Sequence, residues 1–267
     1  MHQGRFITHI NNNQAGIKMS INKVKLQPSE RLDDLLTHDL RIIQSDEVFS
    51  FSMDAVLLAR FAGLPRRGKV LDLCTGNGVI PLLMSTRTEA TIEGIEIQPR
   101  IADMARRSVM LNGLGDQIMI REGDLRELTS ITGYGGYDAI TVNPPYMPLN
   151  GSDITLNEHQ AIARHEIHCT LEEVLTACMH LVRTGGKVSM VHKPQRIGEI
   201  ITLMRKYRLE PKRIRMVHPR IDKEANMVLI EALRDGKPDV RMLPPLIVYN
   251  ENGEYCKEIM DIYYPSP

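Results

Sequence analysis

Apolar and polar positions alternate between two periods through the middle of the chain. KVLDLC (69–74) is a short apolar run of strand formers that breaks at TGNG, and VIPLLMS continues with the spacing of a helix. ATIEGIEI (90–97) is a second strand. Pro99 follows at a helix-start position, and RIADMARRSVMLN runs on to Gly113, a helix-stop signal. QIMIREGD (117–124) and YDAITV (137–142) read as a third and a fourth strand. Thr170 with Glu173 three residues on forms a capping box, and Leu171, Val174, Leu175, Cys178, Leu181 and Val182 recur at helical spacing. Gly185-Gly186 turns into KVSMVH, a fifth strand, then RIGEIITLMRKY reads as a helix, and RIRMVH and ANMVLIEAL close the series as strands.

Strands alternating with helices predict an α/β fold, a Rossmann-like doubly wound sheet of seven strands with helices on both faces. Only HPRIDKE joins the last two strands, too short for a parallel crossover, so they pair antiparallel. The sheet is therefore expected to be mostly parallel with one antiparallel strand near its edge. Residues 31–237 are read as a single domain, residues 1–30 as a polar and disordered extension with Met19 as an alternative start, and residues 238–267 as a tail packing on the domain.

Composition narrows this picture. The 267 residues are 42% apolar and 25% charged, enough to bury a core without disulfides or metals. A formal net charge of zero excludes a globally basic nucleic-acid binder, so any electrostatic footprint is local. Cys74, Cys169, Cys178 and Cys256 are scattered, with no C-x-x-C pair, as in a cytoplasmic protein with reduced thiols. The chain has no run of about 18 apolar residues and no apolar leader segment, so no membrane span is expected. His159, His165, His168 and Cys169 cluster in EHQAIARHEIHC, but spacings of six, three and one match no common zinc pattern. No metal is expected there. The stretch is read as a mobile substrate loop in which Arg164 and His165 contact the substrate.

Candidate chemistry concentrates at strand ends. Asp72-Leu73-Cys74-Thr75-Gly76-Asn77-Gly78 is a glycine turn between a strand and a helix, where the backbone can approach a ligand closely. Glu96 ends the second strand, 18 residues after Gly78, and a carboxylate there can accept hydrogen bonds from both ribose hydroxyls of an adenosine. Asp124 ends the third strand, where it can receive an adenine amine. G-N-G-V-I-P has proline where a dinucleotide fingerprint has its third glycine, and no P-loop lysine follows. An adenosine without a phosphate chain fits, and S-adenosylmethionine is such a ligand. Its candidate contacts are Asp72, Cys74, Gly76, Gly78, Glu96, Ile97, Asp124, Leu125 and Asn143. Taken singly, Asp72, Glu96 and Asp124 could be ordinary turn residues; together with the glycine loop they form a pattern.

At this point the chain resembles the class I S-adenosylmethionine-dependent methyltransferases. VLDLCTGNGVIPLL is similar to their first motif, IEGIEIQP to the second, Gly123-Asp124 to the third and Asn143-Pro144-Pro145-Tyr146 to the fourth. FSMDAVLLARF (51–61) resembles the segment that packs over the cofactor in amino-methylating members. The order of these motifs, with IARHEIHCTLEEVL and a short tail, is similar to the bacterial tRNA(Val) (adenine-37-N6)-methyltransferases. The resemblance spans roughly residues 30 to 235 and implies N6-methylation of an adenine in structured RNA, at anticodon-loop position 37 of a tRNA.

That implication gives Asn-Pro-Pro-Tyr a chemical role. An exocyclic adenine amine is a poor nucleophile because its lone pair is delocalised into the ring. The Asn143 side-chain oxygen and the Pro144 carbonyl can accept its two N–H bonds, the double proline fixing the direction of that carbonyl. Tyr146 can stack on the base, with Pro145 beside it. Catalysis is then positioning and electrostatics rather than a strong general base.

Residues 193–223 hold ten Lys and Arg against Glu199, Glu210 and Asp222, an excess of seven positive charges in a neutral chain. This reads as a phosphate-facing patch, with Lys193 and Arg196 as substrate contacts, or as a solvated helix face. Two other functions compete. Asn-Pro-Pro-Tyr also suits methylation of a glutamine side-chain amide in a protein such as a release factor, although only some 50 residues precede the cofactor fold, too few for a recognition domain. A non-enzymatic RNA-binding protein with a vestigial cofactor fold is the other. DNA-adenine methylation is a weaker variant, since no DNA-reading domain is visible.

Overall fold

The computed structural model describes residues 24–48, 51–128, 133–146 and 169–264. Arg164 and His165, the rest of their loop up to His168, and residues 1–23 lie outside the described residues.

All seven expected strands are present: β3 (Lys69–Leu73), β4 (Thr91–Glu96), β5 (Ile118–Glu122), β6 (Tyr137–Val142), β7 (Val182–His192), β8 (Leu209–His218) and β9 (Met227–Arg234). They lie in the order β8-β9-β7-β6-β3-β4-β5. The five strands from β7 through β6, β3 and β4 to β5 pair in parallel. β9 runs antiparallel between β7 and β8, the one reversed strand next to the edge. Two two-residue strands, β10 (Arg241–Met242) and β11 (Leu246–Ile247), add to β8 in parallel and make the sheet nine-stranded rather than seven. Pairs so short carry no periodicity to read. Before the sheet comes a hairpin, β1 (Glu30–Asp34) and β2 (Arg41–Ser45).

Helices α1 (Met53–Phe61), α2 (Val79–Ser85), α3 (Pro99–Leu111) and α6 (Lys257–Tyr263) join one core cluster with Val70, Ile92 and Ile118. Helices α4 (Leu171–Leu181) and α5 (Ile197–Lys206) join the other with Leu71, Leu73 and Ile95. Adjacent strand residues thus face opposite layers; β3 and β6 are buried on both faces, whereas the edge strand β5 buries Ile118 and Ile120 and exposes Met119, Arg121 and Glu122. The expected caps are in place: the Thr170 hydroxyl accepts the Glu173 N–H at 3.2 Å, and Glu173 Oε2 accepts the Thr170 N–H at 2.8 Å. Gly113 adopts φ 66°, the left-handed stop after α3.

Gly185-Gly186 lies within β7 rather than before it. The pairing of β6 with β7 slips there, between Tyr137 and Ala139, and a Cβ at Gly186 would stand 2.6 Å from Val182 Cγ2. The glycines make a bulge in a longer strand. The tail returns over α1: the Thr37 hydroxyl donates to the Tyr263 carbonyl at 3.0 Å, and Arg60 Nε donates to the Ile262 carbonyl at 3.2 Å.

Candidate active site

The parallel strand ends converge on one cavity. Its wall includes Cys74, Thr75 and Gly76 after β3, Glu96, Ile97 and Gln98 after β4, Gly123, Asp124 and Leu125 after β5, and Asn143 and Pro145 after β6. Ala55 of α1, Val79 and Ile80 of α2, Ile101 of α3, and Cys169 close the apolar side. A ligand site outside the carboxyl ends of the strands is what a doubly wound sheet provides.

The loop after β3 depends on left-handed backbone. Cys74 and Gly76 both take φ 56°, and Gly78 takes φ 87° at the start of α2. Glycine adopts this region freely, whereas Cys74 carries a strain on the order of 1–2 kcal/mol. The turn frees the Gly76 N–H to donate to Glu96 Oε2 at 2.9 Å, while the Gln98 N–H donates to Oε1 at 2.9 Å. Burial pushes the Glu96 carboxyl above its usual range, against these main-chain donors. The Ile97 N–H also faces the carboxylate, and its remaining lone pairs are open to a further donor. Two aligned acceptors beside a glycine loop and an apolar slot fit the ribose and adenine of an adenosine.

Asp72 and Gly78 support this wall from behind rather than lining it. Asp72 is fully buried and accepts hydroxyl bonds from Thr75 at 2.6 Å and from Thr141 at 2.5 Å, tying the loop to β6. Burial, with the Glu96 charge adding to it, pushes Asp72 up to about 7 against those two hydroxyl donors. A Cβ on Gly78 would meet Ala105 Cβ at 3.2 Å, so the glycine lets α2 approach α3. Asp124 is on the wall, but both its oxygens are engaged by Arg126. The Cys74 thiol is held well above its usual range by its contact with Cys169 and by burial, which leaves it a packing group rather than a nucleophile.

Asn143 and Pro145 line the cavity; Pro144, between them, is buried and is not on its wall. The Tyr146 hydroxyl lies 2.5 Å from Asp54 Oδ2 and 2.6 Å from Asn143 Oδ1. Its ring packs against His192, with centroids 5.1 Å apart, and Lys193 Nζ stands 5.4 Å over it. Arg196 extends Nη1 to within 3.5 Å of the Tyr146 carbonyl and pairs with Glu199 at 2.7 Å. Tyr146 thus adjoins Asn143, and Lys193 and Arg196 adjoin Tyr146, but none of Tyr146, Lys193 and Arg196 lines the cavity itself. His192 is fully buried, and burial, with Arg196 adding to it, lowers its imidazole to about 4.

The basic stretch is less free than its sequence suggests. Among the described residues, eight of its ten cations have a carboxylate partner: Arg196, Arg205, Lys206, Arg208, Arg213, Arg215, Arg220 and Lys223. Glu172, Asp235, Glu231 and Glu258 come from other parts of the chain, which a count within 193–223 cannot see.

Asp54, Gln98 and His192 were not singled out from the sequence, and Cys169 was weighed there only as a metal ligand. Asp54 carried a readable signal, the one acid in the apolar run of FSMDAVLLARF. His192 carried none, since a histidine ending a strand is unremarkable in sequence. Among the described residues no three His, Cys, Asp or Glu gather as metal ligands, and no helix is long and apolar enough to cross a membrane.

The sheet order and this cavity define an S-adenosylmethionine-dependent methyltransferase fold. Residues 39–203 match the methyltransferase small domain family, and the chain belongs to it. It is a methyltransferase, and S-adenosylmethionine is the cofactor of this class. Curated relatives from Porphyromonas gingivalis and Aeromonas salmonicida, each named tRNA1(Val) (adenine(37)-N6)-methyltransferase, are 29% identical. The first aligns over 79% of this chain and 86% of its own length, the second over 79% and 87%. Among solved structures, a predicted O-methyltransferase from Agrobacterium tumefaciens superposes with a TM-score of 0.64 at 23% identity, covering 79% of this chain and 95% of that one. A geranyl diphosphate methyltransferase in complex with SAM superposes at 0.51 and 15% identity over 67% of this chain and 84% of its own. These two share the fold.

Proposed function

We propose that the protein methylates the exocyclic N6 of an adenine in tRNA, at position 37 of the anticodon loop of a valine tRNA, in the cytoplasm. The observation that carries this reading is the placement of Asn143 and Pro145 on the same cavity wall as Gly76 and Glu96. The relatives' shared name supplies the substrate.

When bound, S-adenosylmethionine supplies an electrophilic methyl group. Glu96 would hold the ribose hydroxyls, and Ile97 and Leu125 the adenine faces. Asp124, already paired with Arg126, would share an oxygen with the cofactor's adenine amine. At the substrate end, the Asn143 Oδ1 and the Pro144 carbonyl accept the two N–H bonds of the target amine. This draws density onto its nitrogen and holds it in line. Tyr146 and Pro145 pack against the base, and the surplus proton leaves to solvent after transfer. Lys193 and Arg196 meet the adjacent phosphates, with Arg164 and His165 completing that contact.

Labelled S-adenosylmethionine, given to the purified protein with total RNA and with a protein fraction from cells lacking the gene, tests this. Label in tRNA recovered as N6-methyladenosine supports the reading. Label in protein alone replaces it with glutamine-amide methylation. Cofactor binding with no transfer to either removes the enzymatic assignment on these substrates.

A further inference from the structure

Asp54 begins the first turn of α1, where every other buried residue is apolar. It is 9% exposed, and both its oxygens are occupied. Oδ1 accepts the Ser52 hydroxyl at 2.5 Å and the Ala55 N–H at 2.8 Å, while Oδ2 lies 2.5 Å from Tyr146 Oη. That Oη is also 2.6 Å from Asn143 Oδ1.

A phenol has one proton, and here two oxygens stand within bonding reach of it. A carboxylate is the stronger acceptor, so the proton lies between Oη and Asp54 Oδ2. Oη and an amide oxygen 2.6 Å apart with no proton between them would repel. The amide therefore turns over, a change that leaves its shape nearly the same. Asn143 Nδ2 then donates to Oη, and Oδ1 occupies the other branch, toward the cavity that Asn143 lines. Burial and the Asp54 charge keep the Tyr146 phenol protonated far above its usual range, so it remains a donor throughout the working pH.

We propose that Asp54 is a positioning residue that acts through the Tyr146 hydroxyl to fix the Asn143 amide with its oxygen, not its NH2, facing the nitrogen to be methylated. The assignment rests on the proposed reaction, because an amine with two N–H donors needs acceptors and an NH2 in that place would repel it. Asp54 touches neither substrate nor cofactor in this account.

The test is a double-mutant cycle of Asp54→Asn and Tyr146→Phe, read as kcat and KM for tRNA methylation and as cofactor affinity by calorimetry. Asp54→Asn offers its own NH2 to Oη, which returns the phenol proton to Asn143 Oδ1. A kcat loss of about 100-fold is expected, of the size seen when one aligned polar group is removed. KM for tRNA and cofactor affinity should stay within about twofold, small against the tenfold that 1.4 kcal/mol represents. Asp54→Asn made on top of Tyr146→Phe should cost nothing further, because its route to Asn143 is already cut. Independent, multiplying losses would overturn the proposal, as would loss of cofactor affinity in step with kcat. If Asp54→Asn does not fold, Tyr146→Phe alone decides, since it leaves the Ser52 and Ala55 bonds in place. A lowered kcat at unchanged KM supports the link, and wild-type kcat overturns it. Wild-type protein that labels no tRNA would instead overturn the proposed function, a result visible before any variant is made.

Discussion

Glu96→Gln separates the cofactor account from plain fold stability. In the wild type one carboxylate oxygen takes the Gly76 N–H and the other the Gln98 N–H, each at 2.9 Å, with the Ile97 N–H also facing the group, and the ribose hydroxyls would meet its remaining lone pairs. Glutamine keeps the shape but replaces one oxygen with NH2, which faces an N–H donor-to-donor. The stranded buried N–H costs about 1–3 kcal/mol of stability, and this is present without ligand. The lost ribose acceptor adds a separate penalty in binding. A hydrogen bond to a charged group contributes about 1.5–3 kcal/mol, so the affinity for S-adenosylhomocysteine should fall about 10- to 150-fold. Titration calorimetry measures the second effect and a melting curve of ligand-free protein the first. The pH profile has a defined sign. Burial raises the Glu96 carboxyl, and its charged form is the one that accepts both ribose hydroxyls. Wild-type affinity should therefore weaken as pH falls, beginning above the ordinary glutamate range, while the Gln variant stays flat. Affinity within threefold of wild type in a folded Glu96→Gln protein would rule out Glu96 as the ribose acceptor.

Three further expectations follow from the same geometry. Asp72 sits at about 7 in the fold against an ordinary value of 3.8. Its contribution to stability is whole below about pH 4 and is lost as pH rises to 7, up to about 4 kcal/mol. Denaturation at several pH values should show wild type falling relative to Asp72→Asn over that window, and a constant or rising difference would oppose this. A Cβ at Gly94 would lie 2.8 Å from Ile120 Cδ1 and 2.9 Å from Thr75 Oγ1, so Gly94→Val should lower the melting temperature by the equivalent of about 1–3 kcal/mol. Lys193→Ala and Arg196→Ala should each reduce the slope of log affinity for tRNA against log salt by about 0.7–0.9, with cofactor affinity unchanged.

The fold was legible wherever an element is long and buried on one or both faces. Periodicity, caps and glycine stops placed β3 through β9 and the helices between them. The hairpin β1–β2 and the two-residue strands β10 and β11 escaped because their pairing is decided by what they dock on. Ile43 N–H, for example, donates to Ser108 Oγ at 3.0 Å across 65 positions of sequence. That Gly76, Glu96, Ile97, Leu125 and Asn143 share one cavity wall was readable because parallel strands deliver their C-terminal ends to one place. Asp72 shared their motif, yet its carboxylate is taken by Thr75 and Thr141 and does not line the cavity, a distinction that strand position alone does not make. The basic stretch shows the opposite failure. Its charge was counted correctly, but Glu172, Asp235, Glu231 and Glu258 neutralise much of it from a distance in sequence. Asp54 and Tyr146 are 92 positions apart, and only the folded chain shows that they meet.

Methylation of a tRNA adenine at the Asn143 end of this cavity can be measured in cells. Valine tRNA is isolated from a strain lacking the gene and from strains complemented with wild type or Asn143→Ala, and its nucleosides are quantified by mass spectrometry with the position mapped. The account predicts N6-methyladenosine at position 37 with the wild type only, while the Asn143→Ala protein still binds cofactor. An unmethylated adenine 37 in the wild-type strain, or full methylation by Asn143→Ala, would contradict it.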